Sequence, residues 1–161
     1  MVAKTSNDKN VLRAAILAIN DGLSSNFNFV MGISGTGMSN KIIILTGLAA
    51  VIAGAFSMAM GEWLSLSTIA DRRISAIKAA IYSFVMFTVG SIIPIIPFIF
   101  FDGFNAVVIS AILCAYSLFA VGMIDSRRRS PIMSGIKHVV AGLTIAAITY
   151  SIGYLFGVQL S

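Results

Sequence analysis

Six acidic residues, one histidine and one cysteine are all the carboxylate, imidazole and thiol side chains in this 161-residue chain. That scarcity excludes a good deal. Cys114 lies in an apolar run, with no partner for an intrachain disulfide and no CxxC arrangement for a metal, so it reads as a small buried hydrophobe. No nucleophile–base–orienter arrangement and no glycine-rich phosphate loop is visible, which argues against an enzyme. Charged residues make up only 11% of the chain, too few to coat a soluble domain of this length. The formal charge of +5 does not signal nucleic acid, because its basic residues are not interleaved with aromatics on a polar surface.

What the chain does have is apolar length: 58% hydrophobic residues and a mean hydropathy of +0.96. Lipid is its main solvent. A bilayer-crossing helix needs about 20 mainly apolar residues, and five stretches qualify, at approximately 11–36, 42–69, 76–100, 104–124 and 139–160. The expected fold is therefore an all-α integral membrane protein of five transmembrane helices, a single transmembrane domain over 1–161 with no soluble domain. Gly35, Gly37, Ser39 and Asn40 mark the first turn. Asp71, Arg72 and Arg73 mark the second, Asp102 and Gly103 the third, and the stretch from Asp125 to Pro131 the fourth. Pro94 and Pro97 should kink or end the third helix. The first apolar stretch contains Asn20 and Asp21 and runs straight into a second span, so it is not a cleavable signal.

Basic residues orient this bundle. With the N-terminus in the cytoplasm, every lysine and arginine except Lys41 falls on the cytoplasmic side, Arg72, Arg73 and the Arg127–Arg129 run among them. So strong an asymmetry over short loops places the N-terminus inside and the C-terminus outside. The Arg127–Arg129 run reads as a topology anchor, with anionic lipid headgroups as the alternative contact. A short echo, Asp21-Gly22-Leu23 and Asp102-Gly103-Phe104, opens two-helix stretches of opposite orientation, as an inverted repeat would.

Asp21 sits in the middle of the first span, where a carboxylate costs at least ~2.5–3.5 kcal/mol. At i+3, i+4 and i+7 from it stand Ser24, Ser25 and Asn28, and the same face continues through Gly32 and Gly35. Such a face must meet protein or water. Close packing through small residues is the plain alternative, but packing does not call for a carboxylate. We therefore expect Ser24, Ser25 and Asn28 to line a pathway. In the second span Met58 and Glu62 are four residues apart and share a face bordered by Ala55, Ala59 and Ser65. Two hard oxygen donors and one soft thioether suit a first-row ion such as Fe²⁺ or Mn²⁺ and would be wasted on Mg²⁺ or Ca²⁺. A carboxylic acid surrounded by hydrocarbon also trades a proton for a metal, which gives metal/proton exchange a physical basis. His138, the only histidine, stands beside Lys137 and reads as interfacial, with a pH or metal role as the alternative, and Trp63 reads as a packing or near-interface ring.

These residues have a familiar look. Asp21-Gly22-Leu23, followed by the polar and aromatic stretch to Gly32-Ile33-Ser34-Gly35, resembles the first transmembrane helix of the vacuolar iron transporter family. The run Ser57-Met58-Ala59-Met60-Gly61-Glu62-Trp63-Leu64-Ser65, with Gly47-Leu48-Ala49 and Ala53-Gly54-Ala55 before it, is similar to the second. Pro94-Ile95-Ile96-Pro97-Phe98 looks like the family's proline motif, and Gly142-Leu143 through Gly153, Phe156 and Gly157 resembles its last helix. The resemblance implies a homodimer of five-helix protomers, with an ion path along the dimer interface between first and second helices. It implies Fe²⁺ or Mn²⁺ moved out of the cytosol in exchange for protons, with Asp21 as the first-helix carboxylate, Met58 as the second-helix methionine and Glu62 on the motif's acidic position. Family members commonly insert a Glu- and Met-rich cytoplasmic domain between helices two and three; here the stretch between Ile69 and Ala76 holds no such domain.

The expected function is export or sequestration of a divalent transition metal, with no permanently bound cofactor. Its partners are a second copy, the bilayer, metal ions and protons. The alternative is a non-transporting membrane subunit or anchor whose polar helix faces hold another protein. The minimal size and the lack of a targeting segment point to a prokaryotic cytoplasmic membrane.

Overall fold

In hydrocarbon each backbone N–H and C=O must be satisfied within the protein, which leaves a chain this apolar little choice but helices. The computed structural model describes residues 2–68, 73–125 and 130–160; Asp71, Arg72 and the Arg127–Arg129 run lie outside the described residues. Every described element is helical: α1 (Val2–Gly35), α2 (Asn40–Ser67), α3 (Arg73–Ile92), a 3₁₀ turn (Ile93–Ile95), α4 (Ile96–Phe100), α5 (Gly103–Ile124) and α6 (Pro131–Leu160).

By length and composition four stretches are apolar enough to cross a membrane: Asn40–Ser67, Ser75–Phe100, Gly103–Ile124 and Pro131–Gly157. The expected first span is not among them. At 34 residues α1 is long enough, but Asn20, Asp21, Ser24, Ser25, Asn26 and Asn28 hold its hydropathy down. The other long helices show apolar side chains outward as well as inward. On α2, for example, Leu45, Ile52 and Phe56 are exposed while Ile43, Val51 and Ala55 are buried. A helix that is apolar all round belongs in lipid or in a large core.

α1 packs along its length against α3 on one side and α6 on the other, α2 rests on α3, and α5 lies against α6 and α1. Small residues bring these backbones together, as packing in lipid requires. A methyl group on Gly22 would run into the Phe87 carbonyl oxygen, and one on Gly90 into the Ile19 carbonyl oxygen. On the other side, a methyl on Gly153 would strike the Gly32 carbonyl oxygen. Asn26, buried between α1 and α3, adds a hydrogen bond from Nδ2 to the Ser91 carbonyl oxygen at 2.6 Å.

The prolines act as expected. α3 ends at Ile92, and the chain passes through a 3₁₀ turn containing Pro94 into the short α4, with Pro97 in its first turn. Proline removes helix hydrogen bonds, and here Ser110 of α5 donates to the Pro94 carbonyl oxygen at 2.8 Å. Asn40, at the start of α2, ties that end down: its Nδ2 reaches the carbonyl oxygens of Phe98 and Phe101 at 3.0 and 2.7 Å and Asp102 Oδ1 at 3.1 Å.

Two helices begin earlier than expected. α1 starts at Val2, nine residues before the apolar stretch begins at Val11. α6 starts at Pro131, where the sequence suggested a link reaching to His138. The reason lies in Ser130-Pro131, a capping residue followed by a proline at the first helical position: the Met133 N–H donates to Ser130 Oγ at 3.2 Å. Ser130→Ala is therefore expected to lower stability by about 1 kcal/mol, seen as a small fall in melting temperature with unchanged helix content. The echo of Asp21-Gly22 in Asp102-Gly103 is not structural. Gly22 is mid-helix against α3, whereas Gly103 follows the N-cap residue of α5 with φ +57°.

Candidate functional site

α1 and α2 run antiparallel and meet only loosely, leaving a cleft of about 400 Å³ backed by Phe87 of α3. Leu17, Asp21 and Ser25 line it from α1; Gly54, Ser57, Met58, Gly61 and Glu62 line it from α2. The three residues expected to hold metal, Asp21, Met58 and Glu62, thus share one cavity. The i, i+4 spacing on each helix produces this: Asp21 and Ser25 point the same way, as do Met58 and Glu62.

Glycine shapes both the wall and the floor. The Phe87 ring occupies the place where Gly54 would carry a side chain, and a methyl on Gly61 would meet no atom within 4 Å. The polar groups are set for accepting charge rather than donating protons. Ser25 spends its hydroxyl hydrogen on the Asp21 carbonyl oxygen at 2.5 Å, which leaves the oxygen lone pairs free. Among the described residues, no group of three or more His, Cys, Asp and Glu side chains comes together. A single subunit therefore offers two carboxylates and a thioether, with room left for further ligands. The cleft opens on the outer surface of the subunit. Asp21, Ser25 and Ser57 are exposed there, amid exposed Leu17, Phe56, Met60 and Trp63.

Not all of the polar face of α1 belongs to this cleft. Ser24 and Asn28 turn the other way, into a second cleft of about 330 Å³ between α1, α5 and α6, whose lining includes Asn20, Asp21, Ser25, Leu118, His138 and Gly142. Ser24 donates its hydroxyl to the Asn20 carbonyl oxygen at 2.8 Å. Asp21 lines both cavities. His138 stands about two turns inside α6 rather than at its start, because the helix begins earlier than its apolar run suggested. Asn26, which sequence reasoning passed over, joins neither cleft and serves the α1–α3 contact.

Comparison with known proteins identifies the family. Residues 12–73 and 66–154 match the profile of the VIT family. The chain is 32% identical to vacuolar iron transporter homolog 4 of Arabidopsis thaliana, over 91% of this chain and 84% of that protein. It is 33% identical to homolog 3 of the same plant, over 91% and 83%. Vacuolar iron transporter homolog 1 of Oryza sativa subsp. japonica is 29% identical over 92% of this chain and 75% of its own length. With profile and relatives covering nearly all of its helices, the chain belongs to the VIT family of multi-pass membrane proteins.

Proposed function

We propose that this protein carries a divalent transition metal, Fe²⁺ or Mn²⁺, out of the cytosol through the cleft between α1 and α2, in exchange for protons. The observation that carries this reading is the meeting of Asp21, Met58 and Glu62 in one cavity. The names of its relatives, vacuolar iron transporter homologs, favour iron as cargo. α1 is the fifth span, its polar residues tolerated because they face clefts and other helices rather than lipid.

The same cleft argues for a homodimer. An exposed carboxylate at membrane depth costs at least ~2.5–3.5 kcal/mol against lipid, and the apolar residues around Asp21 invite a protein neighbour. Setting cleft against cleft across a two-fold axis shields both Asp21 residues and doubles the ligands. The basic residues put the N-terminus in the cytoplasm. In a plant vacuole, as the relatives' names suggest, or in a prokaryotic cytoplasmic membrane, the direction is the same, away from the cytosol.

Liposomes reconstituted with the protein and loaded with a metal-sensing dye provide the test. Uptake of Fe²⁺ or Mn²⁺ is expected to rise with a pH gradient, to fall about tenfold in Met58→Ala, a loss of about 1.4 kcal/mol, and to vanish in Gly61→Leu. A Cβ at Gly61 meets no atom within 4 Å, so a larger side chain there is expected to enter the cleft with little cost to the fold. No metal uptake by the wild-type protein, with or without a gradient, would favour an anchoring role instead.

A further inference from the structure

The second cleft contains a metal-binding side chain that the proposed path does not use. α1 and α6 run in the same direction, with Gly32 facing Thr149, which a methyl on that glycine would touch at 3.6 Å, and Gly157 facing Thr36. Stepping back along that register brings His138 level with Asp21, and both line the cleft. Gly122 of α5 makes room for the imidazole: a methyl there would stand 2.8 Å from Nδ1 and 2.9 Å from Cγ. Nδ1 lies 2.9 Å from the Ser134 carbonyl oxygen. A carbonyl only accepts, so Nδ1 carries the hydrogen and Nε2 keeps the lone pair, the arrangement by which proteins orient a ligating histidine. Asn20 and Asn28 add side-chain carbonyl oxygens that have no hydrogen-bond partner, and the Ser24 hydroxyl hydrogen is already engaged.

We propose that the cleft between α1, α5 and α6 is a second divalent-cation site within a single subunit, in which His138 Nε2 and the oxygens of Asn20 and Asp21 bind a first-row ion such as Mn²⁺ or Fe²⁺. One nitrogen with several oxygens and no sulfur is a harder donor set than the Met58 cleft, and suits Mn²⁺ better. Asn28, two helical turns beyond Asn20, extends the polar lining along α1. The site shares Asp21 with the proposed transport path and rests otherwise on separate residues.

The chain has one histidine, so any imidazole bound to metal in protein without a histidine tag is His138. Tag-free protein is loaded with Mn²⁺ and its electron spin-echo modulation recorded. Imidazole nitrogen modulation is expected in the wild type and in Met58→Ala, and complete loss of it in His138→Gln. Mn²⁺-treated wild type without imidazole modulation overturns the site. Vesicle uptake with the same preparations separates the two readings: uptake without modulation removes this site and leaves transport standing, whereas modulation without uptake removes transport and leaves the site.

Discussion

Asp21→Asn is expected to yield a protein that folds at least as well as the wild type and no longer carries metal. The two halves of that expectation have one cause. Among the described residues no cation pairs with the Asp21 carboxylate, so the empty protein must either hold that charge at a cost of at least ~2.5–3.5 kcal/mol at membrane depth or take up the proton that the metal later displaces. The neutral amide relieves much of that cost, and the melting temperature should stay level or rise. The metal-loaded state loses instead. A unit-charge pair at 4 Å is worth about 4 kcal/mol at an effective dielectric of 20. Losing even half of that lowers metal affinity roughly 30-fold, and a dication feels the loss more strongly. Thermal melting of empty protein and initial uptake rates in liposomes should therefore move in opposite directions. A parallel fall in both would mean that Asp21 serves the fold rather than the cargo.

Gly22→Val should destroy the fold, one residue away from a change that spares it. The Cβ would collide with the Phe87 carbonyl oxygen and stand 2.8 Å from Ser91 Oγ, so α1 and α3 must separate. That separation also breaks the Asn26–Ser91 hydrogen bond one turn away. Ordinary overpacking costs about 1–3 kcal/mol, and because this contact is against backbone, which cannot change rotamer, a cost of ~3 kcal/mol or more is expected. Size-exclusion profiles should show aggregation or loss of the protein. Gly61→Leu, with open space around it, is the control, expected to elute as the wild type does.

The contrast between these two glycines marks what could be read from the chain. Each lies between one acidic and one apolar residue, and only the helix pairing tells a contact glycine from a cleft glycine. Asp21, Met58 and Glu62 were legible because a carboxylate in an apolar helix is costly and i, i+4 spacing fixes a shared face. The division of the polar face was not. Ser24 and Ser25 are neighbours in sequence, yet Ser25 borders both clefts and Ser24 only the one beside α6, and no periodicity reveals which neighbour sits where. Helix starts were missed for a different reason. Hydropathy is silent on them, whereas Ser130-Pro131 announces α6 by capping and by proline geometry, which puts His138 inside the helix rather than at its start.

Asn40 anchors one end of α2 through three oxygen partners on the 98–102 segment. That makes α2 a lever with a fixed fulcrum. Met58 stands about 27 Å along it and Glu62 about 33 Å, at 1.5 Å per residue. A tilt of α2 that widens the cleft by a given angle therefore displaces Glu62 more than Met58 and leaves the Asn40 end almost still.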